Sequence, residues 1–416
     1  MITLHKNRYG GEITPPSSKS DTHRAIISAA LSKEKCIVNN VSFSNDINAT
    51  ISSLRSLGAN IDVFDDKVVT HPIHNILDEA TLDVNESGST LRFLIPLSLV
   101  FSKKNTFILR GNLINRPINS YIEAFKKQDI KIEKTSEGYI ISGTLKSGIF
   151  EIDGNVSSQF ISGLLFSLPL LEGNSKIIIK NSISSLNYIL MTIDTLNHFG
   201  IKIDFDIDKQ VIYINGNQEY HSSSYDVEND YSQASFFLAL GLINDKIKVN
   251  GMNINSYQAD KNIINILQRM GGDVEFKDGS IVCSPSAIGE CTISLDENPD
   301  LGPILFGLAS FSSNKITFTS IKRLRIKESD RVEAMRYNLE LLGIKVELLD
   351  EDTLVVYGGK MHKPTKTLSS FHDHRIFMTL CIITSHLDEV TIDDEECINK
   401  SYPDFLKDLA SLRKEN

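Results

Sequence analysis

The 416-residue chain is 41% hydrophobic and 23% charged, a balance typical of a globular protein with its own core, and its length predicts two or three domains. A formal net charge of -10 argues against a nucleic-acid-binding protein, whose basic surface usually shows in the total. No apolar run reaches the roughly 18 residues of a membrane helix, and the opening segment MITLHKNRYGGE lacks the apolar stretch of a secretion signal. Five scattered cysteines without a CxxC pair favour reduced thiols in the cytoplasm, with no disulfide framework and no zinc site.

The first predicted element is a helix that follows the segment PPSSKSDTHR, residues 15–24. Two prolines break the chain, and the apolar run AIISAAL comes after them. Lys19, Ser20 and Arg24 therefore lie near the expected helix start. Because a helix N-terminus already carries partial positive charge, cations are unfavourable there unless an anion binds. The segment predicts an anion-binding site.

Further along the chain, a helix-like run, a break and an alternating strand recur five times. The five segments read LRSLGANIDV, FKKQDIKIE, LNHFGIKIDF, LQRMGGDVEF and LELLGIKVELL. Their break residues, Gly58, Asp129, Gly200, Gly271 and Gly343, are spaced by 71, 71, 71 and 72 residues. A further equal step predicts a sixth helix near the C-terminus, and the N-terminal segment ITLHKNRYGGEI is expected to supply one of its strands.

Six similar units divide into two domains of three units each. Residues 14–226 are expected to form the first, inserted domain, and residues 1–13 with 227–416 the second. The crossing segments PPSS and DVEND would form a hinge. Because ligands favour clefts between domains, the active site is expected in the interdomain cleft.

Helix entrances are predicted 12 residues before each break. They fall at Asp46, Pro117, Tyr188, Ala259, Arg331 and, by extrapolation, Tyr402. Cationic and hydroxyl side chains surround several of them, so converging helix N-termini would trap anions. The segments NESGSTLRF, VSSQF and HDHR add to this set. HDHR also allows an H-x-H metal site, but no second ligand pair accompanies it, so no metal is expected; the absence of GxxxxGK[ST] argues against a Walker-type kinase.

Ten segments occur in one order along the chain: SSKSDTHR, ESGSTLR, NRP, SSQ, SLNY, VENDYSQA, NPDLGP, IKESDR, HDHR and NKSYPDF. This set resembles the enolpyruvyl transferase family, and within it the 5-enolpyruvylshikimate-3-phosphate synthases, over essentially the whole chain. The resemblance implies an α/β (α+β) fold with two domains, each of three βαβαββ units, around a hinge. It implies transfer of the enolpyruvyl group of phosphoenolpyruvate to the 5-hydroxyl of shikimate 3-phosphate, through a tetrahedral intermediate and with release of phosphate. No cofactor, nucleic acid or membrane is expected to take part, and a monomer is expected.

The resemblance also assigns roles to residues. Shikimate 3-phosphate would be bound by Lys19, Ser20, Arg24, Ser157, Ser158, Gln159, Ser185, Tyr188, Asp300, Arg323 and Lys327. Phosphoenolpyruvate would be bound by Lys19, Gly88, Arg92, Arg116, Gln159, Arg331, Arg375 and Lys400. Asp300 would act as base on the hydroxyl and Glu328 as acid toward the methylene, with Lys19 assisting, and the two carboxyl groups can exchange roles between half-reactions. The alternative for Asp300 is an ordinary loop residue beside two prolines.

Two positions depart from the pattern best known in the family, since Glu86 and Arg323 stand where many members have Asn; in addition, Phe93 stands where some members have Pro. The sequence at these positions does not determine the affinity for substrates, nor the sensitivity to glyphosate, the inhibitor that occupies the phosphoenolpyruvate site in this family. One rival is the related transferase that acts on UDP-N-acetylglucosamine, which typically has Lys-Asn at the position of Lys19-Ser20 and a reactive Cys in the loop that here reads GNLINRP. A second rival is a non-catalytic anion-binding protein on the same fold. It would not need to keep Asp300, Glu328 and Lys19 together.

Overall fold

The computed structural model describes residues 1–73 and 75–414. The α-helices of this part of the chain are α1 (Lys19–Leu31), α2 (Asn45–Ser56), α3 (Gly88–Phe101), α4 (Asn119–Ala124), α5 (Ser158–Ser167), α6 (Leu186–His198), α7 (Tyr231–Ile243), α8 (Ile263–Arg269), α9 (Gly302–Ala309), α10 (Arg331–Leu341), α11 (His374–Ile383) and α12 (Phe405–Ser411).

The strands are β1 (Ile2–Leu4), β2 (Gly11–Ile13), β3 (Cys36–Asn39), β4 (Asn60–Val63), β5 (Lys67–His71), β6 (Leu77–Asn85), β7 (Ser102–Leu109), β8 (Ile130–Lys134), β9 (Gly138–Gly143), β10 (Ile149–Asp153), β11 (Ser175–Lys180), β12 (Ile203–Asp206), β13 (Val211–Ile214), β14 (Ser224–Asp226), β15 (Ile247–Val249), β16 (Asp273–Lys277), β17 (Ser280–Ser284), β18 (Cys291–Ser294), β19 (Lys315–Thr319), β20 (Val346–Asp350), β21 (Thr353–Tyr357) and β22 (Val390–Ile392).

Five four-stranded sheets share one strand order. The orders are β6-β7-β9-β8, β10-β11-β13-β12, β14-β3-β5-β4, β2-β15-β17-β16 and β18-β19-β21-β20. In each sheet the first two strands are parallel and the other pairs are antiparallel. Each sheet with its two helices is one βαβαββ unit. The repeat that the sequence predicted is therefore confirmed in the structure.

Three units take a strand from a distant part of the chain. The first unit is completed by β14, which pairs in parallel with β3, and the fourth by β2, which pairs in parallel with β15. In the sixth unit β1 pairs antiparallel with β22, and Leu368 forms a parallel bridge to Ile392. The expectation that the N-terminal segment supplies a strand to the sixth unit is confirmed.

The chain divides into two compact units. The inserted unit comprises Ser17–Glu228, and the terminal unit comprises Met1–Pro16 with Asn229–Asn416. Each has its own hydrophobic core. The first helix of each repeat is buried along nearly its whole length; these helices are α1, α3 and α5 in the inserted unit and α7, α9 and α11 in the terminal unit. These six buried helices form the centres of the two units.

Polar caps and glycines set the ends of the helices. Side-chain oxygens at Ser18, Ser44, Ser87, Ser157, Asp230, Asp330 and Asp373 accept backbone N–H groups of the first helical turns. Four of the five break residues are glycines with φ between +80° and +93°, just after α2, α6, α8 and α10. This left-handed conformation ends a helix and favours glycine. Among the described helices, none is both long and apolar enough to cross a membrane.

Candidate functional site

The predicted site residues lie at or beside helix starts in both units. In the inserted unit they form the serine–arginine cluster, defined as Lys19, Ser20, Arg24, Gly88, Arg92, Arg116, Ser157, Ser158, Gln159, Ser185 and Tyr188. In the terminal unit they form the carboxylate cluster, defined as Asp300, Arg323, Lys327, Glu328, Arg331, Arg375 and Lys400. Most of these residues lie at or near the first turns of the buried helices. Tyr188 and Arg331 lie instead on second helices of their repeats, α6 and α10.

Arg24 is held in one orientation inside the inserted unit. Its side chain is buried, and it donates hydrogen bonds to Thr192 Oγ1 at 2.8 Å, to the Ser20 carbonyl at 2.6 Å and to the Tyr188 carbonyl at 3.0 Å. Its guanidinium lies 5.1 Å from the ring centre of Phe93. Burial lowers the pKa of Arg24 to about 10, so the group remains a cation at neutral pH. The sequence-predicted anion site at the start of α1 thus contains a pre-oriented guanidinium.

A hydrogen-bonded chain ties α3 to α5. Arg92 Nη1 donates to Gln159 Oε1 at 2.7 Å, and Gln159 Nε2 donates to Ser89 Oγ at 2.9 Å. The Arg92 guanidinium also lies over the ring of Phe160, 5.1 Å from its centre. These contacts fix the direction of the Gln159 amide, and the structure brings Arg92 and Gln159 together.

Gly88 allows two guanidinium groups to approach the start of α3. A Cβ atom at this position would lie 2.8 Å from Arg116 Nη1 and 3.2 Å from Arg92 Nη1. The backbone N–H groups of the first turn carry the positive end of the helix dipole. Two guanidinium groups beside a helix N-terminus make a strong binding place for an anion. Glu86, which departs from the family pattern, packs its carboxyl group against Gly111.

Lys19 has a carboxylate partner that the sequence did not assign to the site. Its Nζ lies 2.8 Å from Asp46 Oδ2, and both side chains are largely buried. Asp46 is in the first turn of α2, at the helix entrance predicted 12 residues before Gly58. This predicted helix entrance was the feature of the sequence that could have indicated Asp46 as a site residue. The ion pair orients the Lys19 ammonium group.

Three serines of the cluster, besides Ser20 on α1, stand at two further helix starts. Ser157 caps α5, where its Oγ accepts the Gln159 N–H at 3.3 Å, and Ser158 is the first helical residue. Ser185 precedes α6 with φ +61°, a left-handed conformation that is uncommon for serine. Backbone strain of this kind concentrates at functional sites.

Arg331 is the centre of the carboxylate cluster. Its side chain is 1% exposed. Nε donates to Asp373 at 2.8 Å, Nη1 to Asp300 at 2.8 Å and Nη2 to Glu328 at 2.8 Å. Burial lowers the pKa of Arg331, but the three carboxylates outweigh burial and raise its pKa above the ordinary value. The two predicted proton-transfer groups, Asp300 and Glu328, are thus joined by a single guanidinium.

Asp300 lies among three cations. Lys327 Nζ is 3.3 Å from Oδ1, Arg331 Nη1 is 2.8 Å from the same oxygen, and Arg375 Nη2 is 3.7 Å from Oδ2. Burial raises the pKa of Asp300, but Lys327, Arg375 and Arg331 hold it well below its usual range. Burial also lowers the pKa of Lys327 to about 8. Asp300 is therefore ionised at neutral pH, and its surroundings differ from those of an ordinary loop aspartate.

Two members of the carboxylate cluster lie at its edge. Arg323 donates to the Asp296 carbonyl at 3.0 Å, and its charge contributes to lowering the pKa of Lys327. Lys400 is buried at the end of the short helical segment Glu395–Lys400.

Asp373 is a buried member of the site that the sequence assignment missed. Besides Arg331, it accepts the Ser329 hydroxyl at 3.1 Å and the Arg375 N–H at 2.9 Å, which caps α11. The signal for it was an aspartate just before the apolar run of α11, a usual capping position. In the same HDHR segment, His372 is 89% exposed and pairs with Asp394, whereas His374 is buried. Among residues 1–73 and 75–414, no three His, Cys, Asp or Glu side chains gather as a metal site would require.

Comparison with known proteins places the chain in a family. Residues 5–409 match the family model of EPSP synthase (3-phosphoshikimate 1-carboxyvinyltransferase). The chain belongs to the EPSP synthase family. It is similar to the 3-phosphoshikimate 1-carboxyvinyltransferase of Clostridium acetobutylicum, with 42% identity over 97% of this chain and 95% of the relative, and to that of Clostridium perfringens strain SM101, with 40% identity over 99% and 97%.

The fold of the family is also found in a solved structure. EPSP synthase from Acinetobacter baumannii superposes with a TM-score of 0.81 and 22% sequence identity, covering 99% of this chain and 97% of that chain. The fold class, the family and the transferase class predicted from the sequence are therefore confirmed. The roles assigned to individual residues of this EPSP synthase family member stay predictions.

Proposed function

We propose that the chain transfers the enolpyruvyl group of phosphoenolpyruvate to the 5-hydroxyl of shikimate 3-phosphate and releases phosphate. Membership of the EPSP synthase family supports this reaction. The structural observation that carries it is the link from Arg331 to Asp300 and Glu328, which sets two carboxyl groups among buried cations. Such a pair suits the two proton transfers of the reaction. The proposal assigns no cofactor.

The charges of the two clusters match the substrates. Each substrate has one phosphate of about two negative charges and one carboxylate, roughly six charges in all at neutral pH. Eight cations are proposed to neutralise them: Lys19, Arg24, Arg92 and Arg116 in the inserted unit, and Lys327, Arg331, Arg375 and Lys400 in the terminal unit. We therefore propose that both clusters act in one reaction.

Each substrate group has proposed partners. Ser20 and Arg24 hold the shikimate carboxylate, and Gln159 and Tyr188 frame the ring. The shikimate phosphate is bound by Ser157, Ser158, Ser185 and Lys327, with Arg323 as a further contact. The phosphate of phosphoenolpyruvate is bound by Lys19, Arg116, Gln159, Lys400 and the backbone of Gly88, and Arg92 lines the same place. Arg331 and Arg375 bind its carboxylate, a bidentate task that favours arginine over lysine.

The proposed chemistry has two half-reactions. In the first, Asp300 accepts the proton of the 5-hydroxyl while the hydroxyl oxygen bonds to C2 of phosphoenolpyruvate, and Glu328 gives a proton to the methylene carbon. In the second, ionised Glu328 takes a proton from the new methyl group, the double bond re-forms, the C–O bond to phosphate breaks, and protonated Asp300 gives its proton to the leaving phosphate. Because Arg331 already donates to both acids, an arriving carboxylate competes with them for the guanidinium. Substrate binding would thus free Asp300 and Glu328 for proton transfer.

Phosphate release by the purified protein tests the proposal. It is measured with phosphoenolpyruvate plus shikimate 3-phosphate and, in parallel, with phosphoenolpyruvate plus UDP-N-acetylglucosamine. Release that requires the shikimate compound is expected. Release only with the sugar nucleotide would favour the related transferase, and no release with either would favour an anion-binding protein. We also propose that the chain acts in the cytoplasm as a monomer, which sedimentation equilibrium tests by mass.

A further inference from the structure

One buried carboxylate of the terminal unit has no part in the proposed reaction. Asp260 is 1% exposed and lies in the short helical segment Ala259–Asn262, just before α8. The Ser232 hydroxyl, in the first turn of α7, donates to its Oδ2 atom. A buried acid is costly unless it has partners, so its contacts indicate what it does there.

Asp260 and its neighbours hold the side chain of Asn298. The Asn298 amide donates to the Ala259 carbonyl at 2.7 Å and to Asp260 Oδ1 at 3.5 Å. Its carbonyl oxygen accepts from Asn262 Nδ2 at 3.0 Å. Both ends of the Asn298 side chain are therefore bound by residues 259–262. Asn298 begins the turn that carries Asp300 two residues later.

The same turn is held from its other side. Arg375 Nη1 donates to the backbone carbonyl of Asp300 at 3.2 Å, and the Leu301 N–H donates to the Asn298 carbonyl at 3.1 Å. The backbone around Asp300 is thus anchored before and after the residue. An error of about 1 Å in the place of a reacting group can cost a hundredfold in rate, so such anchoring matters for a base.

We propose that Asp260 is a positioning residue, which through Asn298 fixes the turn that carries Asp300. This inference rests on the proposed function, in which Asp300 accepts the hydroxyl proton. Asp260 touches neither the proposed substrates nor the reacting atoms. It acts only through the place and the surroundings of Asp300.

The negative charge of Asp260 has a second effect, on the pKa of Asp300. The charged groups that face Asp260 are Asp300, Arg375 on α11 and Asp230 at the start of α7. Burial, and after it the negative charge of Asp300, raise the pKa of Asp260 to about 6. The repulsion is mutual, so an ionised Asp260 makes Asp300 a stronger base. Below about pH 6 Asp260 gains a proton, and this support for Asp300 is lost.

The test compares Asp260→Asn with the parent and with the control Asp245→Asn, which removes an acid of the same unit that pairs with Arg8. For Asp260→Asn we expect a melting temperature close to that of the control, a KM for each substrate within twofold of the parent, and kcat at pH 8 lowered about tenfold. As pH falls below about 5, the ratio of parent to variant kcat should approach one, because the parent Asp260 is then protonated too. An unchanged kcat at pH 8, or a loss confined to KM, would overturn the proposal.

A second measurement does not depend on activity. Hydrogen–deuterium exchange of the peptide spanning residues 298–302 should be faster in Asp260→Ala than in Asp245→Asn, because the anchor of the turn is removed. If Asp260→Ala does not fold, Ser232→Ala is measured instead, since it removes one partner of the same carboxylate. Unchanged exchange at these amides would refute the positioning role. If the parent releases no phosphate and Asp260→Ala still shows the faster exchange, the proposed function is overturned and the anchoring by Asp260 remains supported.

Discussion

The substitution Thr192→Val should weaken both the stability of the chain and its affinity for shikimate 3-phosphate. Thr192 Oγ1 accepts the Arg24 Nε–H at 2.8 Å and donates to the Tyr188 carbonyl at 2.9 Å. The Ser162 hydroxyl, 2.7 Å away, must then donate to the same oxygen. Valine keeps the shape of threonine but has no oxygen, so the buried Arg24 guanidinium loses one of its three hydrogen-bond acceptors.

The expected magnitudes follow from that loss. A hydrogen bond to a charged group contributes about 1.5–3 kcal/mol, so the free energy of unfolding should fall by about 2 kcal/mol. A guanidinium held at two points instead of three should raise the KM for shikimate 3-phosphate about tenfold, which equals about 1.4 kcal/mol. The kcat should change less than twofold, because Arg24 is proposed to bind and not to transfer protons.

The matched control is Thr384→Val. The Thr384 hydroxyl is also fully buried and donates to a helix carbonyl, that of Leu380 at 2.7 Å, but no cation in the described part of the chain donates to it. Urea unfolding followed by circular dichroism and steady-state phosphate release are measured on both variants. Equal shifts of the unfolding midpoint, with the KM of Thr192→Val unchanged, would refute the reasoning that Thr192 orients Arg24.

Three further predictions concern other parts of the site. Asp300→Asn should lower kcat by about 10²-fold or more, since the proposed base is replaced by an isosteric amide; near-normal turnover would contradict the assignment. Gly88→Ala should raise the KM for phosphoenolpyruvate more than that for shikimate 3-phosphate, because the added methyl would meet Arg116 Nη1 at 2.8 Å; an equal rise for both substrates would count against a phosphate site at this helix start. Affinity for shikimate 3-phosphate, measured by calorimetry, should fall as pH rises through about 8, where Lys327 loses its proton; the variant Lys327→Arg should not show this fall, and a fall in both proteins would assign it to another group.

Much of the fold was predictable because it repeats. Gly58, Gly200, Gly271 and Gly343 each follow a helix and have a positive φ, which favours glycine. Because this requirement depends only on a few neighbouring residues, it shows in the sequence as regularly spaced glycines. Helix starts were predictable for the same reason, since Ser18 and Ser87 cap their helices through neighbouring N–H groups.

The links between site residues were not predictable in this way. Arg331 meets Asp373 42 residues away, and Lys19 meets Asp46 27 residues away. Which side chains meet across such distances depends on the packing of buried helices, not on local pattern. The sequence therefore indicated the charged groups, through their motifs and family resemblance, but not the carboxylates that orient them. Asp46, Asp260 and Asp373 were missed for this reason.

Strands that pair with a distant part of the chain, such as β1 with β22, have a consequence for synthesis on the ribosome. The inserted unit contains all strands of its three sheets, so it can close as soon as β14 has been made. In the terminal unit, β1 pairs with β22, which is translated about 390 residues later. At about 5–20 residues per second, β1 waits roughly 20–80 s for β22. During that time β1 lacks its strand partner, so a nascent chain of this protein is exposed to misassembly at this strand.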